Sequence, residues 1–533
     1  MKKMLVMLLA LALALSAMAV PAFATGEDLV GGDLVIGVVG APYAMNGWTS
    51  NDMNASMLSD ILYPSLLKFD ANANKVPYIL ESYESNEDMT VWTAKIHDGL
   101  YWHDGEKFTA EDLAFTAVYC ATHSVTYGTD YYAMVEDAVA LDELTVQYTL
   151  NAPTVNFITN AGYWVDIMPE HLFKDIEDLN TADIPTVGYG PYELVDYVDG
   201  EYYYFERVEN WPLANDGVGG YAETLTFMIY TDVNAAVLAL ESGEVDCISS
   251  SLSSAAQEEL ESNEGFDLVK VWSLGYGYVS FNYKNPMLAD QTVRHAIAMT
   301  MDRESLVNIA LGGSAMAMYT PISPVYENLT EGAATFPEFD IDGANALLDE
   351  AGYVDTNGDG IREYSDGTEM SFTLTCRNST ANIDSIANIL KSNMEAAGIG
   401  LTANIVDPAT YTDNVNTNMT FDMNYIEWGV IDDPDMALDA IYLSSATLNF
   451  MGYKNDEMDA ILLEVKTISD PEVRKEKMME FQELFVEELP TVNLLVREQG
   501  YGFSTEKWEG WDAQPGLYGV ADCSNIVKVH LKQ

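Results

Sequence analysis

Residues 225–248 read LTFMIYTDVNAAVLALESGEVDCI. The first six, Leu225 to Tyr230, are a short apolar run of the kind a buried strand needs. Asp232 stands where its carboxylate can accept the free amides of a helix over Val233 to Ser242. Gly243 follows, where a helix C-terminus takes left-handed backbone that glycine adopts without a Cβ clash. Val245 to Ile248 reads as a second strand. Strand, helix and strand in immediate succession predict an α/β sheet with crossover connections.

The same alternation recurs on both sides of this stretch. Leu34 to Val39 is a glycine-bounded apolar run and reads as a strand. Thr109-Ala110-Glu111-Asp112 forms a capping box that opens a helix through about Cys120. Val279 to Tyr283 is a further strand candidate. Helices are expected from about Thr292 and over Asp302 to Leu311, the second stopped by Gly312-Gly313. Ile386 to Ala397 reads as a helix ended by Gly398, with the strand Leu401 to Val406 after it. A last long helix runs from about Pro471 to Glu488 and is stopped by Pro490. No internal repeat or low-complexity linker interrupts the pattern, so one multi-lobed body is expected.

The chain has 533 residues with 24 basic and 84 acidic side chains, a formal net charge of −60. That balance excludes a nucleic-acid binder, which needs a basic surface against phosphate, and docking on anionic lipid. A hydrophobic content of 48% excludes wholesale disorder. Lys2 and Lys3 precede an apolar run from Met4 to Val20 broken only by Ser16. Ala22-Phe23-Ala24 then offers the small–bulky–small pattern a signal peptidase reads, so residues 1–24 are predicted to be a signal peptide. The alternative is a retained membrane anchor. No cysteine lies near the cleavage position, so a lipid-modified N-terminal cysteine is not expected. The mature chain is expected to be exported, soluble and extracytoplasmic. Cys120, Cys247, Cys376 and Cys523 are few and far apart, which predicts buried free thiols rather than a disulfide framework or zinc site.

Enzyme motifs are mostly missing: no GxSxG, Walker A or HExxH occurs. Gly188-Tyr189-Gly190-Pro191 is too short for a phosphate loop and has proline where an amide donor would be needed. His97-Asp98-Gly99 and His103-Asp104-Gly105 read as turns. Paired carboxylates of a secreted hydrolase are not favoured by any local constellation. One acidic segment is more specific. Asp355, Asn357 and Asp359 offer oxygens at positions 1, 3 and 5 of a calcium loop, with Gly360 at 6, the Ile361 carbonyl at 7, Glu363 at 9 and Asp366 at 12. Aspartate at 12 departs from the usual glutamate. The bland alternative is an Asn-Gly-Asp-Gly turn.

Several ordered motifs resemble the dipeptide- and oligopeptide-type solute-binding proteins of ABC importers, extracellular solute-binding family 5. Trp102-His103-Asp104-Gly105-Glu106 with Phe108-Thr109-Ala110-Glu111-Asp112 is similar to the family's "fhDGxpftaeDv". Val187 to Tyr192 looks like its "GTGPY", with Tyr189 in place of threonine. Ala239 to Asp246 resembles "aLesGevD". Phe281-Asn282, Pro286 and Val293 to Ile297 look like "fN…Pf.d..vRqAi". Ala344 to Gly352 resembles "Ak.LL.eAG". Together they span nearly the whole mature chain.

The resemblance implies a two-lobed, periplasmic-binding-protein-like α/β fold of type II, with an extra subdomain on the first lobe. By analogy, lobe I takes residues 25–77, 184–283 and 500–533, the inserted subdomain 78–183, and lobe II 284–499. It also implies a function without chemistry: a peptide-like ligand captured between the lobes by a monomer and passed to a membrane permease. Oligosaccharide or metal-chelate cargo in the same role stays open. Arg377, placed by its spacing to Gly398, matches the family's carboxylate-binding arginine. The family's amine-binding aspartate falls on Val430, which cannot hold an ammonium. Asp432 or Glu427 substitutes if the loop is rebuilt; otherwise the ligand lacks a free amine where a dipeptide has one, and Trp428 sits one position from the family's tryptophan. Tyr43, Trp48, Tyr276 and Tyr278 are the remaining aromatic candidates for ligand contact.

Overall fold

The strand Asp33–Val39 pairs in parallel with Thr224–Tyr230, in register from Asp33 opposite Thr224 to Val39 opposite Tyr230. Its other edge takes Cys247–Ile248, also in parallel. Between those partners runs the crossover helix Val233–Ser242, capped by the Asp232 carboxylate on the Asn234 and Ala235 amides and closed by Gly243 at φ 76°. The second strand is shorter than the sequence predicts. Asp246 folds its own carboxylate onto the Val35 amide at 2.9 Å, which replaces a ladder bond there. This is a computed structural model, and it describes residues 29–533 apart from 43, 51, 181, 183 and 517 and the side chains of 435 and 436. The expected signal peptide and Tyr43 lie outside the described residues.

A second parallel unit follows the same logic. Ser371–Arg377 pairs with Gly400–Val406 along its full length, and the helix Ile383–Ala396 crosses between them. Met423–Glu427 lies on its other side and pairs antiparallel with Gly277–Phe281. One strand of 14 residues, Thr491–Ser504, joins the two units. Its first half pairs with Gly277–Phe281, and its second half with Phe266–Trp272 and Cys247. The chain crosses between the units a second time at Ser273–Tyr276. Two neighbouring crossings make a hinge, because few backbone torsions connect the two bodies. The strand Gly277–Phe281 has its sheet partners in the second unit, although the division at Tyr283 had put it in the first.

Residues 80–150 build a separate four-stranded antiparallel sheet. The helix Ala110–Thr122 packs beside it and carries the predicted capping box between Thr109 and Asp112. Two large apolar cores result. One combines residues between Leu34 and Phe227 with Trp508 to Val529. The other runs from Leu274 to Val496 and takes in Phe69, Ala73 and Tyr163 from the first half. Gly188 and Gly190 serve packing rather than phosphate. A Cβ on Gly190 would lie 2.0 Å from the Ile61 carbonyl oxygen. All four cysteines are free and buried, as expected. Among the described residues, no helix is long and apolar enough to cross a membrane.

Candidate ligand site at the hinge

A cavity of about 530 Å³ opens beside the two hinge crossings. Its wall combines Ser251–Ser254 of the first unit, Ser379–Asn382 and Glu427–Gly429 of the second, and hinge residues such as Ser273 and Arg497. Both lobes and the hinge therefore share one surface. The volume falls within the roughly 300–1,000 Å³ common to small-molecule sites.

Arg497 and Glu427 are the fixed charges of this wall. Arg497 donates from Nε to Glu427 Oε2 and from Nη2 to Oε1, both at 2.7 Å. This is the bidentate geometry that suits guanidinium and carboxylate. Nη2 also reaches the Ala381 carbonyl at 2.8 Å, and the Tyr425 hydroxyl donates to Glu427 Oε1 at 2.5 Å. Burial alone would lower the Arg497 pKa, but the bonds to Glu427 outweigh it and raise it. The cation is firmly held, and the carboxylate is oriented from two sides. Glu427 Oε2 receives one of these donors, and a carboxylate oxygen has room for another.

The loop after Glu427 is stitched to the hinge. The Trp428 amide donates to the Tyr276 carbonyl at 3.2 Å, and its indole Nε1 to the Tyr278 hydroxyl at 2.8 Å. Gly275 permits the approach: a Cβ there would sit 1.8 Å from the Trp428 carbonyl oxygen. Further along, the lobes meet again. Lys75 reaches across to Asp432 and Asp433, the latter at 3.0 Å, with its side chain only 1% exposed. Asn160 accepts from the same ammonium at 3.3 Å, and Trp164 Nε1 donates to Asp432 at 3.1 Å. Burial lowers the Lys75 pKa, yet the two aspartates more than compensate and raise it overall.

The expected site residues divide accordingly. Tyr276 and Trp428 line the cavity, and Tyr278 supports Trp428 from the core. Trp48 is a correction: it is 1% exposed, packs on Tyr63 and Phe173, and donates Nε1 to the Asp166 carbonyl. Its aromatic surface is spent in the core. Asp432 is a second correction, since Lys75 and Trp164 already occupy it. Val430 packs against the second core. Arg377 ends its strand half-buried, 4.5 Å from the Tyr411 ring centroid, and is not part of the cavity lining. Its Nε is buried and has no hydrogen-bond partner. Arg497 was missed because its partner lies 70 residues earlier in the chain. Asp366 does not join the proposed calcium ligands; its carboxylate caps its own turn on the Thr368 amide.

The model of the bacterial extracellular solute-binding proteins, family 5 (middle region), matches residues 74–449. The chain belongs to this family. The oligopeptide-binding protein AppA of Bacillus subtilis is 28% identical over 93% of this chain and 92% of its own length. The structure of that AppA in complex with a nonapeptide superposes with a TM-score of 0.76 at 27% identity, covering 95% of this chain and all of the other. The family fold extends further: a Campylobacter jejuni protein, NikZ, solved in complex with Ni(L-His), gives a TM-score of 0.77 at 23% identity, covering 93% and 99%. The two-lobed α/β architecture is thus that of the solute-binding family.

Proposed function

We propose that the protein captures a peptide-like ligand in the hinge cavity and delivers it, unchanged, to an ABC importer in the membrane. The observation that carries this reading is a single cavity walled by both lobes and by the hinge between them. A ligand held there contacts both bodies only when they close, so its binding free energy favours the closed state. The ligands of the AppA relative, an oligopeptide by its name and a nonapeptide in its solved complex, support peptide cargo. Glu427 is the acceptor for a ligand ammonium, because it lines the cavity and its Oε2 takes a single donor from Arg497, whereas Val430 has no charge and Asp432 lies outside the lining, held by Lys75 and Trp164. Arg377 stands outside that lining, two residues before Ser379 of the cavity wall, and with its unpartnered Nε it is the donor that a ligand carboxylate recruits when the ligand extends past Ser379. The working unit is the exported monomer outside the cytoplasmic membrane.

Native mass spectrometry of the purified chain would weigh any co-purified ligand. A thermal-shift panel of peptides from two to nine residues, oligosaccharides and nickel chelates then tests the class. Ligand at 100 times Kd should add about 2.7 kcal/mol of stability. A shift produced by sugars or chelates alone would end the peptide reading. Arg377→Ala should cost roughly 2–5 kcal/mol of peptide affinity. Amidating the peptide should weaken wild type similarly and the variant little. Equal weakening of both would place the carboxylate elsewhere.

A further inference from the structure

The loop between the helix Ile341–Glu350 and the strand Ser371–Arg377 carries a cluster unrelated to the hinge cavity. One carboxylate oxygen from each of Asp355, Asp359 and Glu363 lies within 4.8 Å of the others. Asp355 and Asp359 are exposed, but Glu363 is only 4% exposed. Glu363 Oε2 accepts from the Thr356 amide at 2.7 Å and the Thr356 hydroxyl at 3.0 Å. Glu363 Oε1 is buried and has no partner at all. A buried carboxylate oxygen without a donor is costly, and two further carboxylates beside it add repulsion. The neighbouring cation does not relieve this. Arg362 turns to the other side, donating to Asp349, Asn345 and the carbonyls of Tyr353 and Ala397.

The rest of the loop orients the same carboxylates. The Gly358 and Gly360 amides donate to the two Asp355 carboxylate oxygens at 2.6 and 2.9 Å and fix their direction. The Asn357 side chain and the Ile361 amide donate to Asp359 at 2.9 Å each. Gly358 and Gly360 take φ of 82° and 95°, which lets the chain curl around the three carboxylates.

We propose that Asp355, Asp359 and Glu363 bind one calcium ion, with Asn357 and the Ile361 carbonyl at the third and seventh loop places as further oxygen donors. The orphaned Glu363 oxygen is the buried ligand, taking the role assigned from spacing to Asp366. Calcium accepts several oxygens in flexible geometry, whereas magnesium demands near-ideal octahedral geometry and keeps its waters. The ion ties the loop to the second lobe: Glu363 bridges Val354 on one side and Glu369 on the other, just before the strand that ends in Arg377. This inference is independent of the cargo.

The test uses the mature chain after chelator treatment, in about 0.15 M salt to screen its general acidity. Calcium and magnesium are titrated in turn by calorimetry, with the melting temperature followed in parallel. The expected result is one saturable calcium per chain, a melting temperature that rises with calcium, and no comparable response to magnesium. Asp359→Asn should weaken calcium at least tenfold and abolish the thermal response, while its calcium-free melting temperature equals or exceeds that of wild type. That last comparison separates a lost ligand from a damaged fold. Glu363→Gln should likewise lose binding. A calcium response that survives Asp359→Asn, or a magnesium response equal to that of calcium, would overturn the site.

Discussion

Lys75→Met should hold the lobes apart. The wild-type ammonium is buried between Asp432 and Asp433, with the Tyr163 ring centroid 5.2 Å away. At the 3.0 Å of the Asp433 contact, an effective dielectric near 20 gives a gross attraction of about 5–6 kcal/mol, much of it offset by desolvation. Removing one partner of such a group costs roughly 3–5 kcal/mol when the other charge stays buried. Here the aspartates can rehydrate if the lobes separate, so the penalty falls on the closed state. A loss of about 3 kcal/mol lowers the closed-to-open ratio roughly a hundredfold, and apparent ligand affinity falls with the closed fraction. Small-angle scattering with and without ligand, together with calorimetry, reads both effects. A double-mutant cycle with Asp432→Asn should show strong coupling, because the two side chains touch. The pH dependence follows from the raised lysine pKa. The contribution is complete below the ordinary lysine value of about 10.5 and is lost as pH climbs through the higher folded value, so closure should be flat across neutral pH. Unchanged affinity and scattering in Lys75→Met would refute the latch.

Asp166 is partly buried, and its loss of solvent pushes its carboxyl up to about 6, against the bonds from Ser59 and the Gly47 amide. The folded state therefore binds the extra proton between about pH 4 and 6, and stability should fall by roughly 3 kcal/mol as pH rises through that window. Asp166→Asn should flatten this slope in urea melts, and an identical slope in the variant would place the proton elsewhere. Gly275→Ala should displace the Trp428 loop from the hinge and weaken ligand binding at least tenfold by calorimetry, since the new methyl would overlap the Trp428 carbonyl oxygen. Burial pushes the Cys120 and Cys376 thiols up to about 12, and Cys247 and Cys523 are raised too. Ellman's reagent should therefore find no reactive thiol in the folded protein and all four after denaturation without reductant; a shortfall would reveal a disulfide.

Elements whose ends are marked by short-range chemistry were legible in the sequence. The helix Val233–Ser242 appears between its Asp232 cap and Gly243 as read, and Pro471–Glu488 begins at its proline and ends just before Leu489-Pro490. The turns at Gly99 and Gly105 hold positive φ, as His-Asp-Gly turns should. What stayed hidden depends on partners far along the chain. Lys75 finds Asp433 across 358 positions, and Trp48 finds Asp166 across 118. An aromatic residue on a loop looks the same whether it meets a ligand or a Phe173 edge. The calcium spacing was visible, but the choice of Glu363 over Asp366 depends on which side chain the two β-bridges turn inward.

The long strand Thr491–Ser504 also sets a timetable for synthesis. It lies in the middle of the sheet order, flanked by Gly277–Phe281 and Cys247–Ile248, yet it comes from near the end of the chain. A ribosome making this protein from its N-terminus has produced almost everything else before either lobe can fill its central gap. Contacts of such long sequence separation form late, because the intervening loop must be closed first. The nascent chain therefore stays unlocked for most of its translation. The molecule sets firmly only once Thr491–Ser504 has emerged and paired on both sides.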